Sequence, residues 1–230
     1  MKLVLFDIDG TILWTDGAGR RAMEGALVAI FGTPGPSSYR YDGKTDRQIV
    51  RDLMREDGHD DVAIDARLPS VLEEYLLRLE RELSREEPQV HRLDGVLELL
   101  DALESRADRV LGLLTGNVLP GAERKLRAVG IDPGRFRIGA FGSDHEHRPA
   151  LPAIALERSR VALDATFSGD RLIIVGDTPA DIHCGRDVGA RAIAVATGHY
   201  SVDDLSAHGP AAVFADLRDT AAVMQAIDDA

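Results

Sequence analysis

The spacing of hydrophobic residues changes twice along the chain. The first run, Lys2-Leu3-Val4-Leu5-Phe6, is apolar after its first residue and is typical of a strand buried on both faces. From about residue 15 to residue 90, apolar residues recur at helical spacing, for example at Leu72, Leu76 and Leu79. From Gly95 onward, short apolar runs alternate with helical patterns, which predicts a parallel sheet with helices on both faces.

The predicted elements describe an α/β chain with one helical insertion. No strand is expected between residues 15 and 90, and Thr45 is expected to cap the helix that follows it. A helical insertion directly after the first strand is well placed to act as a lid over the sheet. The predicted strands cover residues 2–6, 109–114, 136–141, 171–175, 192–196 and 212–214.

Composition narrows the class of protein. The chain has 27 Lys and Arg against 39 Asp and Glu, a formal net charge of −12, which disfavours nucleic acid as a partner. Cys184 is the only cysteine, so no intrachain disulfide can form; we expect it to be a small packed residue on a helix, in a reducing compartment. The first apolar run is broken at Asp7, and no run approaches the roughly 18 apolar residues of a membrane span. We therefore expect a cytoplasmic protein that does not bind membranes.

Polar residues suited to phosphate chemistry follow the strong strands. Asp7 and Asp9 come after the first strand, and alternate residues of an extended chain point the same way. Two adjacent carboxylates repel unless a cation neutralises them or one carries a proton, so the pair implies a metal, an acid–base division, or both. Because ligands bind beyond the carboxyl ends of parallel strands, the ends of the other strands should contribute to the same crevice. Their candidate residues are Thr115, Asn117, Arg148, Asp177 and Asp181.

These motifs, taken in order, resemble the haloacid dehalogenase superfamily of phosphohydrolases. Asp7-Ile8-Asp9-Gly10-Thr11 matches the first motif of the family, and Leu114-Thr115-Gly116-Asn117 matches the second. Arg148-Pro149 resembles the third, and Gly176-Asp177-Thr178-Pro179-Ala180-Asp181 matches the fourth. The resemblance implies a Rossmann-like, doubly wound parallel sheet core (residues 1–14 and 92–230) with an inserted all-helical cap domain (residues 15–91).

The resemblance also implies a role for each residue. Asp7 would attack phosphorus and form an aspartyl-phosphate, and Asp9 would protonate the leaving alcohol and then deprotonate water. The family's Mg²⁺ would be held by Asp7, Asp177 and the backbone carbonyl of Asp9, with Asp181 in its shell. The phosphoryl group would be bound by Thr115, Gly116, Asn117 and Arg148.

Some of these assignments have alternatives. The family usually has Lys at the third motif, where this chain has Arg148; the nearest lysine, Lys125, follows the second motif and is expected at the surface. Asp181 also fits the third helical position of a capping box that begins at Thr178. For Asn117, a place in a turn or at a helix N-terminus is the alternative to binding phosphate.

Further residues are candidates for substrate contact or have structural explanations. Lys44 is taken as a substrate-binding residue of the insertion, with Arg47 as a similar candidate and a charged cap surface as the alternative. One of the two arginines at 20 and 21 is expected to point at the site. Trp14 is expected in hinge or core packing, and His145 and His147 are expected to be loop residues without a metal.

The sequence therefore predicts a Mg²⁺-dependent phosphatase for a small phosphorylated metabolite, of the phosphoglycolate or sugar-phosphate type. Asp9 argues against the dehalogenases and the phosphonate-cleaving relatives, which lack this aspartate. A phosphosugar mutase of the same superfamily remains an alternative, and a non-catalytic binding protein is a weaker one. The substrate and the oligomeric state stay open at this point.

Overall fold

A six-stranded sheet lies at the centre of the computed structural model, which describes residues 1–85, 90–164 and 166–230. Its strand order is β5-β4-β1-β6-β7-β8, and every neighbouring pair is parallel, which confirms the predicted α/β class. In chain order, the elements are β1 (Lys2–Phe6), β2 (Leu13–Trp14), α1 (Ala18–Phe31), α2 (Asp46–Glu56), α3 (Asp61–Leu83), β3 (His91–Arg92), α4 (Val96–Glu104), β4 (Arg109–Thr115), α5 (Leu119–Ala128), β5 (Ile138–Phe141), α6 (Leu151–Leu163), β6 (Leu172–Gly176), α7 (Pro179–Cys184), β7 (Arg191–Val195), α8 (Val202–Ser206), β8 (Ala212–Phe214) and α9 (Thr220–Asp229).

Strand β1 is buried on both faces, as its continuous apolar run predicts. Val4 and Phe6 pack into a cluster with residues of α4, α5 and α9 on one face of the sheet. Leu3 and Leu5 pack into another cluster with residues of α6 and α7 on the opposite face. Cys184 belongs to this second cluster, which confirms its prediction as a small packed helix residue. Strand β1 is therefore flanked by β4 and β6 in the sheet and covered by helices on both faces.

The helical insertion is confirmed over its described residues. Helices α1, α2 and α3 share a hydrophobic cluster, to which Val118 of the sheet-bearing part also belongs. Thr45 caps α2, since its hydroxyl accepts a hydrogen bond from the Gln48 N–H at 3.1 Å. Residues 86–89, which the predicted insertion includes, lie outside the described residues.

A short strand pair at the ends of the insertion is not predicted by the sequence pattern. Strands β2 and β3 are antiparallel, with Leu13 opposite Arg92 and Trp14 opposite His91. Two-residue strands are too short to show a period of two, which explains the omission. The pairing places the start and the end of the insertion side by side.

The insertion contacts the sheet where β4 ends. The Asp46 N–H donates to the Gly116 carbonyl at 2.8 Å, and the Val118 N–H donates to Asp46 Oδ2 at 2.8 Å. The Thr45 hydroxyl donates to the Glu146 carbonyl at 2.6 Å. The start of α2 is thereby held against the carboxyl end of the sheet. Within the described ranges, every helix is too short or too polar to cross a membrane.

Candidate active site

Three neighbouring strands deliver the candidate residues to one cavity. Asp7 follows β1, Thr115 ends β4 and Asp177 follows β6, and these strands are adjacent in the order β4-β1-β6. Residues of the insertion line the opposite side of the cavity, which has a volume of about 500 Å³. The predicted site residues in its lining are Asp7, Asp9, Lys44, Thr115, Gly116, Asn117, Arg148 and Asp177.

Asp7 lies at the base of this cavity, only 6% exposed. Its backbone N–H donates to the Val175 carbonyl at 2.9 Å, which anchors the residue to β6. Burial raises the pKa of Asp7 to about 6; the nearby Asp181 and Asp9 carboxylates act in the same direction, and Arg148 opposes them. The positive charge of Arg148 therefore compensates only part of the cost of burying this carboxylate.

Asp177 has a similar environment. Burial raises the pKa of Asp177 well above its ordinary value, and the Asp181 and Asp7 carboxylates add to the effect. The Thr11 hydroxyl donates to Asp177 Oδ1 at 3.2 Å. Two glycines leave room for the carboxylate, because a Cβ at Gly10 or at Gly198 would overlap Asp177 Oδ2. Gly10 also has a φ of +80°, a conformation that favours glycine.

Arg148 connects two of the carboxylates. It is 4% exposed, its Nη2 lies 3.2 Å from Asp7 Oδ1, and the same nitrogen pairs with Asp181 Oδ1. Burial opposes the charge on Arg148, but the Asp181 and Asp7 carboxylates outweigh it and raise the pKa of the guanidinium above its ordinary value. The arginine therefore stands as a permanent cation beside Asp7.

Asp181 forms the capping box that the sequence offered as an alternative. Its Oδ2 accepts hydrogen bonds from the Thr178 N–H at 3.0 Å and the Thr178 hydroxyl at 2.6 Å. Its Oδ1 faces Arg148, and the residue does not belong to the cavity lining. Both carboxylate oxygens thus have partners within the protein.

The acidic residues fit a divalent cation. Among the described residues, the group of His, Cys, Asp and Glu side chains close enough to share an ion is Asp7, Asp177 and Asp181, whose oxygens lie within 4.8 Å of one another. Three buried carboxylates face one buried cation, Arg148, which leaves an excess of negative charge. All the side-chain atoms of this group that could bind a metal are carboxylate oxygens, and Mg²⁺ prefers oxygen ligands. His145 and His147 belong to no such group within the part of the chain that the structure describes.

A second hydrogen-bond network joins the end of β4 to Asp9. The Asn117 side-chain amide donates to Asp9 Oδ2 and to Thr115 Oγ1, each at 2.8 Å. The Asn117 backbone N–H also points to Thr115 Oγ1, at 3.3 Å. Asn117 therefore does more than occupy a turn, because it fixes the orientation of Asp9 and Thr115.

The prediction that Lys125 lies at the surface is wrong. Lys125 is 4% exposed, and its ammonium group lies 2.8 and 2.7 Å from the two carboxylate oxygens of Asp9. The sequence contained a signal for this position. Lys125 follows Ala122 by three residues, so the two share a face of α5, and Ala122 is buried. A charged side chain is almost never fully buried unless it is paired, so a lysine on such a face indicates a buried partner.

Residues of the insertion divide into those that reach the cavity and those that do not. Lys44 lines the cavity, with Nζ 3.7 Å from the centre of the Tyr39 ring and 3.6 Å from Asp52 Oδ2. Arg47 is outside the cavity lining and points to the Ser143 carbonyl.

The arginine pair and Trp14 also have clear positions. Arg20 lines the cavity, whereas Arg21 is directed to Glu82. Trp14 lies in β2 and lines the cavity, with its ring centre 5.2 Å from that of His199. Trp14 therefore reaches the site as well as the strand pair at the ends of the insertion.

Comparison with known proteins agrees with this geometry. A family model for haloacid dehalogenase-like hydrolases matches residues 4–186. The chain is 30% identical over 228 residues to the N-acetylmuramic acid 6-phosphate phosphatase of Pseudomonas aeruginosa, and the match covers 94% of this chain and 91% of that protein.

Solved structures share the fold. A hydrolase from Pseudomonas syringae matches with a TM-score of 0.74 at 21% identity and covers 98% of both chains. CbbY from Rhodobacter sphaeroides, solved in complex with phosphate, matches with a TM-score of 0.70 at 21% identity, over 95% of this chain and 96% of its own. At this identity the two likenesses establish the fold alone.

Proposed function

Since the chain belongs to the haloacid dehalogenase-like hydrolase family and is a phosphoric monoester hydrolase, we propose that it uses Mg²⁺ and an aspartyl-phosphate intermediate. The observation that carries this proposal is the arrangement around Asp7. A buried carboxylate lies at the base of the cavity, with a permanent cation, Arg148, on one side and a second buried carboxylate, Asp177, within reach of a shared ion.

The proposed first step transfers the phosphoryl group to Asp7. A carboxylate oxygen of Asp7 attacks phosphorus, and the bond between phosphorus and the leaving oxygen breaks with its electron pair on that oxygen. Asp9 gives the leaving oxygen a proton, and Asp9 then takes a proton from the water that hydrolyses the aspartyl-phosphate. Thr115, Gly116, Asn117 and Arg148 surround the phosphoryl oxygens in this proposal.

Mg²⁺ would be held by Asp7, Asp177 and the backbone carbonyl of Asp9, and it would reduce the repulsion between the Asp7 carboxylate and the phosphate dianion. Asp181 supports the same site through Arg148, because its two oxygens are already bound by Arg148 and Thr178. Burial raises the pKa values of Asp7 and Asp177, and a divalent cation between the two carboxylates would offset the cost of burying them, which supports the proposed site.

We further propose that residues 15–91 are a cap domain on a core of residues 1–14 and 92–230. Helices α1–α3 share a hydrophobic cluster, and the start of α2 is hydrogen-bonded to the residues that follow β4. Arg20, Tyr41 and Lys44 of this segment line the cavity opposite Asp7. A cap in this position would exclude water from the reacting phosphate.

The cavity favours a sugar phosphate over a phosphoglycolate-sized substrate. Its volume is about 500 Å³, and the buried hydroxyl of Tyr41 in its lining has no hydrogen-bond partner among the described residues. An unpaired buried hydroxyl is costly, and a hydroxyl-rich ligand would satisfy it. The relative from Pseudomonas aeruginosa is named for a phosphorylated sugar acid, which supports the same substrate class.

The test is hydrolysis of p-nitrophenyl phosphate and of a panel of sugar phosphates with Mg²⁺. We expect release of inorganic phosphate that stops with EDTA, and no isomerised sugar phosphate, which would instead indicate a mutase. Asp7→Asn should abolish turnover, whereas Asp203→Asn, a control at an exposed position of α8, should not change it. Turnover in the Asp7→Asn variant, or full activity in EDTA, would contradict the proposal.

A further inference from the structure

Lys125 is a buried cation at the candidate acid–base residue. Its ammonium group lies 2.8 Å from Asp9 Oδ1, 2.7 Å from Asp9 Oδ2 and 2.7 Å from Asn117 Oδ1. The residue is 4% exposed and lines the cavity. An ammonium group has three donors and no acceptor, and these contacts occupy them. Lys125 is therefore bound to the acid–base group rather than to solvent.

The lysine also determines which way Asn117 points. Because Lys125 can only donate, the amide oxygen of Asn117 must face it. The amide nitrogen then faces the opposite way and donates to Asp9 Oδ2 and Thr115 Oγ1, each at 2.8 Å. One buried ammonium group thus orders both the Asp9 carboxylate and the asparagine that links it to Thr115.

The surrounding elements are built around this side chain. Gly19 of α1 faces it, and a Cβ there would lie 3.3 Å from Lys125 Nζ. Asp46, the first residue of α2, is a second buried carboxylate whose ionised form the charge of Lys125 favours. Lys125 lies on α5 of the core and faces both the acid–base residue and the insertion.

We propose that Lys125 is a positioning residue for Asp9 in the acid step, an inference that rests on the proposed phosphatase function. When the bond between phosphorus and the leaving oxygen breaks, the proton of Asp9 goes to that oxygen and Asp9 becomes a carboxylate. The contacts from Lys125 and Asn117 match this carboxylate, since three N–H donors converge on its two oxygens. Lys125 and Asn117 therefore hold both oxygens of the Asp9 side chain in place for transfer of its proton to the leaving oxygen.

A comparison of two leaving groups separates this role from a structural one. p-Nitrophenolate leaves without needing a proton, whereas the alkoxide of a sugar phosphate needs one. The parameter kcat/KM includes only the steps up to the first irreversible one, so the later use of Asp9 as a base does not enter it. Lys125→Met should lower kcat/KM for the sugar phosphate about 10- to 100-fold, the range for loss of a charge-assisted contact. It should lower kcat/KM for p-nitrophenyl phosphate by a clearly smaller factor.

Further variants test whether the effect passes through Asp9. Asp9→Asn should also lower kcat/KM more for the sugar phosphate than for p-nitrophenyl phosphate. Adding Lys125→Met to Asp9→Asn should cause little further change in the ratio of the two kcat/KM values. Lys2→Met is a matched control, because the Lys2 ammonium donates to the carbonyls of Ile227 and Asp228. Lys125→Arg, which keeps the charge, should recover much of the ratio and provides a second variant if Lys125→Met does not fold.

The outcomes distinguish this inference from the proposed function. If the unmodified protein hydrolyses neither substrate, the phosphatase proposal fails. If the unmodified protein hydrolyses both substrates, a fall of the two kcat/KM values by the same factor in Lys125→Met, or in Lys125→Arg, would overturn the positioning role. That result would leave Lys125 as a structural partner of Asp9 only. The positioning role would also be overturned if Lys125→Met changed the ratio of the kcat/KM values in the Asp9→Asn variant by the same factor as in the unmodified protein.

Discussion

The guanidinium of Arg148 lies 3.2 Å from the Oδ1 of Asp7, and both side chains are buried. The same guanidinium pairs with Asp181, the third residue of α7, which forms a capping box with Thr178. Arg148 thus connects the candidate nucleophile to the start of a helix. A change at this residue should therefore affect activity and stability together.

Replacing Arg148 with Met should leave Asp7 and Asp181 buried without a cationic partner. Breaking a buried ion pair in this way costs about 3–5 kcal/mol of unfolding free energy. We expect Arg148→Met to lose that stability in urea titrations and to lose most of kcat for any phosphate ester. Arg148→Lys keeps the charge and should retain more of both. A Met variant with unchanged kcat would remove Arg148 from the site.

Replacing Gly198 with alanine tests the proposed metal site without removing any charged group. A Cβ at this position would overlap Asp177 Oδ2, so Gly198→Ala should displace the carboxylate. Changes next to a metal ligand typically reduce metal affinity about 10- to 100-fold. The Mg²⁺ concentration for half-maximal activity should rise by that factor in the variant.

The matched control is Gly121→Ala, because a Cβ there would meet its nearest neighbours at 3.5 Å or more, which is ordinary contact. It should leave the Mg²⁺ requirement unchanged. An unchanged Mg²⁺ requirement in a folded Gly198→Ala variant would argue against Asp177 as a ligand.

Most of the fold is predictable from the sequence because local pattern and tertiary environment agree. The run from Leu172 to Val175 is apolar since β6 is covered on both faces, and the predicted strand is confirmed. Thr45 caps its helix by a contact three residues away, which sequence alone can show. The strand pair β2–β3 forms between residues 13 and 92, which are far apart in the sequence, so no local sequence pattern predicts it.

The candidate site is predictable to the extent that strand ends converge. Asp7, Thr115 and Asp177 are brought together because β4, β1 and β6 are neighbours. Lys125 is not predictable in the same way, because its partner, Asp9, is more than a hundred residues away in the chain. Lys125 follows the buried Ala122 by three residues on α5, but only the tertiary structure supplies the partner that accounts for its burial.

Asp46 should make stability depend on pH. Burial raises the pKa of Asp46 to about 6, from an ordinary value of 3.8, with Lys125 and the Val118 N–H opposing the shift. Between these values the folded protein holds more protons than the unfolded chain, so the free energy of unfolding falls as the pH rises. Asp46→Asn has no such proton to lose and can still accept from Val118.

The measurement is urea-induced unfolding of both proteins at about pH 4.5 and pH 7, in buffer without Mg²⁺. From the lower to the higher pH, the unfolding free energy of the unmodified protein should fall by about 2 kcal/mol relative to Asp46→Asn. Groups other than Asp46 contribute equally to both proteins. Parallel pH profiles would show that Asp46 is ionised throughout this range in the folded protein.

Lys44 and Arg47 lie three residues apart, and the structure separates their expected roles. Lys44 lines the cavity, whereas Arg47 points to the Ser143 carbonyl at 3.3 Å, outside the cavity lining. Lys44→Ala should raise KM about two- to fivefold for a sugar phosphate with a further anionic group, the range for one partly exposed charged contact. KM for p-nitrophenyl phosphate should change less, because its aryl group carries no second anion. Arg47→Ala should leave both KM values unchanged, and an equal rise for both substrates in Lys44→Ala would argue that the lysine only supports the fold of the insertion.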